Sequence, residues 1–209
     1  MTRRFKLLAG ILLLAGGWML GTHLVAQTSA PATATAPATT QATTMPRNDL
    51  AGLGNFAQVS AVLYRGEQPT AEGFAALKKM GVKTVVDLRA LHSDRTLLKG
   101  TGLQYVGIPC NAWHPEEEDV VAFLKVLHDP ANQPVFVHCA QGSDRTGMMV
   151  ASYRMVDEKW NSIDAMAELP NFNFHPIWKD IAAYLKTFDA ERVLKKAAEA
   201  KGPKIERID

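Results

Sequence analysis

Short β-branched runs occupy the middle of this chain, and apolar positions at helical spacing flank them. Val59 to Tyr64, Thr84 to Leu88, Leu103 to Ile108 and Val135 to Val137 read as strands, the second rich enough in Val to be an interior strand of a mainly parallel sheet. Thr70 is placed to cap a helix running through Met80 and closed by Gly81. A second helix is expected from about Glu116 to His128, with Glu116, Glu117, Glu118 and Asp119 in a first turn where the helix dipole favours acids. Met148 to Val156 predicts a helix directly after the last strand, and Ser162 caps a short one to Leu169. Phe172, Phe174, Ile177, Trp178, Ile181, Tyr184, Leu185 and Phe188 form a stripe that suits core packing from Pro176 onward. Ala190 to Lys201 reads as a charged surface helix, stopped by Gly202 and Pro203, with a loose tail after it.

Strands alternating with helices give an α/β fold, a small central sheet flanked by helices. Its 209 residues leave room for one such domain, from residue 55 to 188, with the charged helix and tail at 189–209. Before it, Gln27 to Pro46 is almost wholly Ala, Thr, Pro, Gln and Ser, so residues 27–54 are expected to be a flexible linker. Residues 1–26 carry Arg3, Arg4 and Lys6 ahead of the apolar run Leu7 to Leu20, the pattern of a signal peptide. Cleavage after Ala26 would release the domain, whereas an uncleaved stretch extending through Val25 would anchor it. Either way the expected location is outside the cytoplasm, exported to the periplasm or held at the inner membrane, with membrane contact only through this segment. A net charge of +2 with scattered Lys and Arg gives no basis for a nucleic-acid partner, and a monomer is expected.

The chemistry concentrates in His138-Cys139-Ala140-Gln141-Gly142-Ser143-Asp144-Arg145-Thr146-Gly147. The strand before it and the helix after it make these ten residues a strand-to-helix turn. Unpaired N–H groups and the helix dipole there suit a phosphate dianion. Gly142 lets the backbone curl close to the ligand. Cys139 and Arg145 stand at the two ends of a five-residue arc, Ala140 to Asp144, that can wrap one phosphate with the guanidinium forked onto two oxygens. A field that binds phosphate also favours a thiolate, so Cys139 is expected to be the nucleophile.

Cys-x5-Arg-Thr within His-Cys-x-x-Gly-x-x-Arg-Thr-Gly resembles the phosphate loop of the cysteine-dependent protein tyrosine and dual-specificity phosphatases. The resemblance implies a dual-specificity-phosphatase-like fold and hydrolysis of a phosphorylated protein or small phosphomonoester through a cysteinyl-phosphate, with no metal or other cofactor. It assigns Thr146 a hydrogen bond to the sulfur, His138 a supporting role behind the loop, and Tyr64 to Pro69 a place near the rim, through Arg65 or Gln68. Such enzymes usually carry an acidic Asp on a loop some thirty residues before the nucleophile. Asn111-Ala112-Trp113-His114-Pro115-Glu116 has none. His114, Glu116 and Glu117 are therefore the candidate general acids, His114 first, with Asp119 the nearest Asp and already in the helix. Asp144 in the loop argues against the most anionic substrates, inositol polyphosphates among them. Cys110, the other cysteine, ends a strand expected beside the central one and is a possible redox partner for Cys139. A phosphate-recognising module with little turnover is one rival reading, and a phosphoinositide or inositol phosphate phosphatase is another, since the Asp-Arg-Thr-Gly ending resembles some lipid and bacterial members. No His, Cys or carboxylate spacing suggests a metal site.

Overall fold

A computed structural model describes residues 43–209; the expected signal segment and most of the linker lie outside the described residues. Six strands form one sheet in the order β1-β2-β5-β3-β4-β6. The four central strands, β2 (Leu63–Gly66), β3 (Thr84–Asp87), β4 (Gln104–Gly107) and β5 (Val135–His138), are mutually parallel. Each edge is a two-residue antiparallel strand, β1 (Ala57–Gln58) on β2 and β6 (Glu206–Arg207) on β4. Such short edges leave little unpaired backbone to recruit another chain.

Side-chain alternation along the strands builds a core on each face. Val85, Tyr105 and Phe136 point to one side, with Phe74 and Leu77 of α1 (Ala71–Lys79) and Leu98 of α2 (Arg95–Leu98). Val86, Val106, Val135 and Val137 point to the other, against α3 (Glu117–Leu127) and α4 (Asp144–Val156). α5 (Ser162–Ala167), α6 (Lys179–Lys186) and α7 (Ala190–Glu199) enclose α4. All but Arg145 of the thirteen residues of α4 are buried, as expected of an apolar helix in the middle of a layered domain.

Several expectations change. Of the strand expected at Val59 to Tyr64, only Leu63 and Tyr64 are strand, the start of β2; Val59 to Val62 is the turn from β1, with the Val59 N–H donating to the Leu63 carbonyl. Asn161, not Ser162, caps α5, because its side chain reaches the Asp164 N–H at 2.9 Å. Packing starts well before residue 55: Arg47 bridges to Phe56, Leu53 is buried, and the Thr44 N–H donates to Glu168. The tail is not loose either. Past Pro203 the chain returns to the sheet as β6, burying Ile208 and pairing Glu206 with Arg95 at 2.8 Å. Two-residue strands carry no periodicity that a sequence pattern can reveal. Among the described residues no helix is long and apolar enough to cross a membrane.

Candidate active site

β5 ends at His138, α4 begins at Asp144, and the chain between them curls around a point at the carboxyl edge of the parallel strands. Its shape is enforced from behind. The Ala140 carbonyl accepts from the Gln68 N–H at 3.2 Å, the Gln141 carbonyl from Asn55 Nδ2 at 3.0 Å, and the Gly142 carbonyl from Arg65 Nη2 at 2.7 Å. His138 Nδ1 meets the Cys139 carbonyl at 3.1 Å. Four successive carbonyls are thus held on the protein side. The N–H groups of Ala140 to Ser143 have no backbone acceptor among the described residues, which is the arrangement an anion site requires. Gly142 has φ +68°, and a Cβ there would collide with the Gly66 carbonyl, so both conformation and space demand glycine.

Cys139 is 2 % exposed, at the start of the loop, while Arg145 is half-buried and lines a cavity of about 330 Å³. Arg145 Nη1 donates to the Leu88 carbonyl at 3.3 Å, which steadies the guanidinium without using its remaining donors. Thr146 is fully buried and its hydroxyl has no partner among the described residues. Beside Arg145 the cavity wall includes Cys110, Ala112, Trp113, Gln141, Asp144, His175, Ile177 and Trp178.

His138 is fully buried, with Nε2 2.8 Å from Asp94 Oδ2. Arg89 ties Asp94 to Asp87, donating to Asp87 at 2.8 and 2.9 Å and to Asp94 at 2.5 Å. Burial alone would raise the Asp94 carboxyl, but the His138 hydrogen bond and the His138 and Arg89 charges outweigh it and hold the group below its ordinary range. Asp87, Asp94 and His138 are close enough to suggest a metal cluster. Their carboxylate oxygens are already engaged by Arg89 and His138, which is the chemistry of an ion-pair network supporting the loop.

Arg65 is not at the rim. It is fully buried behind the loop, its guanidinium 3.6 Å above the Phe172 ring, and burial pulls it down to about 10. The expected acids are scattered. His114 is exposed and does not line the cavity; Glu116 is exposed at the start of α3. Glu117 is bound to Arg192 and to Lys196 of α7, at 2.5 and 2.7 Å. Asp119 is half-buried and pushed up to about 6, by burial first and then by Glu116 and Glu118, against a hydrogen bond with Cys110. Cys110 is buried, with a free thiol pushed up by burial and by Asp119. Ile177, expected in the core, is 75 % exposed on the cavity rim, because the chain only becomes helical at Lys179. His175 had no signal of its own in the sequence beyond lying near Pro176.

Residues 49–180 match the model of the DSP-PTPase phosphatase family, the phosphatase found fused to NAD+ kinase. The chain belongs to this family. The phosphatase is 31% identical over 189 residues to the dual specificity protein phosphatase TpbA of Pseudomonas aeruginosa strain UCBPP-PA14, covering 88% of this chain and 80% of that one. The crystal structure of a Cys-to-Ser variant of P. aeruginosa TpbA in complex with pTyr is similar at 25% identity and a TM-score of 0.64, over 79% of this chain and all of that one. Inositol diphosphatase DSP2 of Oryza sativa is 28% identical over 155 residues, 67% of this chain and 72% of that one. The phosphatase is therefore a cysteine-dependent enzyme of the dual-specificity class, with an α/β fold in which helices flank a mainly parallel sheet.

Proposed function

We propose that this phosphatase hydrolyses aryl phosphomonoesters of the phosphotyrosine type on protein segments outside the cytoplasm. The observation that carries the substrate reading is the cavity wall. Among the described residues it holds no Lys and no Arg besides Arg145, while Trp113, Ile177, Trp178, Ala90 and Ala112 offer apolar surface for a ring. An inositol polyphosphate would bring several further phosphates to a wall that answers them with Asp144. A phosphotyrosine brings one phosphate and one ring. TpbA in complex with pTyr supports the same choice. Location rests on the N-terminal sequence, whose Arg3, Arg4 and Lys6 precede an apolar run.

The reaction follows from the loop. The Cys139 thiolate attacks phosphorus, an S–P bond forms, and the P–O bond to the leaving group breaks. Amides of the loop and Arg145 follow the equatorial oxygens as the phosphoryl group flattens. Water then attacks phosphorus, the S–P bond breaks, and inorganic phosphate leaves. The buried Thr146 hydroxyl, with no other partner among the described residues, is available to hydrogen-bond the departing thiolate.

The test measures phosphate release by the full chain from a phosphotyrosine peptide and from inositol hexakisphosphate, beside Cys139→Ser. Turnover of the peptide, lost in the variant, with little release from the inositol compound, is expected. The opposite preference would overturn the substrate reading, and binding of the peptide without turnover would favour a recognition module.

A further inference from the structure

The leaving oxygen needs a proton, and the loop where relatives usually keep the acid has no Asp. The titratable side chains on the cavity wall are Cys110, Asp144, Arg145 and His175. Arg145 does not release a proton in a protein. The Cys110 thiol holds its proton more firmly than usual, because burial and Asp119 both oppose its ionisation. Asp119 and His114 are both off the wall.

Asp144 and His175 form a pair of different character. The His175 N–H donates to Asp144 Oδ1 at 2.8 Å, and His175 Nδ1 lies 3.1 and 3.0 Å from the two carboxylate oxygens. Asp144 opens α4 and is 8 % exposed, so it is fixed by the same turn that shapes the phosphate loop. The carboxylate can only accept, so Nδ1 donates to it, and Nε2 is left to serve a ligand. The imidazole is half-exposed, in the wall of the cavity that contains Arg145. Such a carboxylate-oriented imidazole is the usual form of an acid–base group.

We infer that His175, oriented by Asp144, is the general acid and base of this site. As the P–O bond breaks, the imidazolium gives its Nε2 proton to the leaving oxygen and becomes neutral, with Nδ1–H still on Asp144. In the second step Nε2 takes a proton from the attacking water as the S–P bond breaks. The thiolate and the imidazolium are both restored. Asp144 is a positioning residue; it touches His175 and not the reacting atoms. The charged and titratable groups facing His175 are Asp144 and Arg145 on α4, Cys110 beyond β4, and Glu67 across the adjoining cavity that His175 also lines. The inference rests on the cysteine chemistry of the site and not on which phosphomonoester is the natural substrate.

The experiment uses the full chain, its His175→Gln and His175→Ala variants, and aryl phosphates of graded leaving-group basicity together with an alkyl phosphate. His175→Gln is expected to lose least with a dinitrophenyl leaving group and ~10²-fold or more in kcat/KM with the alkyl one. Its dependence on leaving-group basicity should be steeper than the wild type's, the alkaline limb of the phenyl phosphate profile should vanish, and added imidazole should restore His175→Ala. Asp144→Asn should steepen the same slope, by less, through misorientation of the imidazole. Orthovanadate binding reports that each variant keeps its loop. An unchanged slope and alkaline limb in both His175 variants would overturn the assignment, as would a steepened slope in Asp119→Asn or His114→Gln with His175→Gln unaffected. Loss of all turnover in Cys139→Ser separates a failure here from a failure of the thiolate mechanism.

Discussion

Arg65 Nη2 donates to the Gly142 carbonyl at 2.7 Å from full burial, joining the end of β2 to the tightest bend of the phosphate loop across 77 residues of sequence. At about 10 the guanidinium is still a cation at neutral pH, and it sits on the closed side of a loop whose open side faces an anion. Arg65→Met keeps contact with Phe172 but leaves the Gly142 carbonyl without its donor, at a cost of about 1–3 kcal/mol that the removal of a buried charge partly offsets. Catalysis should suffer more than folding. A drop in kcat/KM of about 10²-fold with a modest change in urea midpoint is expected, since small misplacements at a reacting centre carry penalties of that order.

Gly142→Ala tests the loop from within. A methyl group there meets Gly66 backbone, which cannot swing aside, at a φ that side chains rarely adopt. Orthovanadate affinity and turnover should both fall at least 10²-fold, as a loop pushed open by an ångström predicts. Retention of wild-type affinity would show that the loop closes differently around its ligand.

Asp119 gives a pH-dependent stability. Its folded value of about 6 lies above the ordinary value for an aspartic acid, so between the two the folded state binds more protons than the unfolded one. The sign follows: this group favours folding in acid and ceases to do so as pH rises through about 6. Asp119→Asn should therefore gain in melting temperature relative to wild type as pH goes from 4 to 7. A constant difference across that range would contradict the burial of the charge.

The two cysteines should differ in reactivity. Burial and the neighbouring carboxyl keep Cys110 protonated, whereas Cys139 lies at the anion site. Iodoacetamide at neutral pH should label Cys139 and spare Cys110, with mass spectrometry of the peptides as the readout. A disulfide between them after mild peroxide would need Cys110 to displace water from oxidised Cys139, a step its protonation slows. Rapid linkage at neutral pH would show the thiol to be freer than its surroundings imply.

Removing Lys204 to Asp209 deletes β6, the burial of Ile208 and the Arg95–Glu206 pair. The loss should be about 2 kcal/mol, mostly from the isoleucine, because exposed ion pairs contribute little. It should appear in the urea midpoint with turnover of an aryl phosphate preserved, as the phosphate loop follows β5, which β3 and β4 separate from β6.

The parallel strands and the phosphate loop were legible because each signal is local. Thr84 to Leu88 is a run that only a buried strand uses, and Cys139 to Arg145 carries its function in its spacing. What the sequence hid was set by partners far along the chain. Arg65 looks like a turn residue until the fold slides it beneath Gly142, and Asp94 looks like a solvated acid until Arg89 and His138 close on it. His175 shares its cavity with Arg145, thirty residues earlier, and no periodicity links the two. His114 drew attention by sitting on the loop where an acid was wanted, and adjacency in sequence did not bring it to the cavity.

The four carbonyls drawn back behind the loop have one more effect. Their amides are aimed and waiting before any substrate arrives, and what they recognise is the phosphoryl group, which substrate and product share. Inorganic phosphate therefore competes for the same seat, and the rate of this enzyme in a given surrounding is set by free phosphate as well as by the phosphorylated partner it meets.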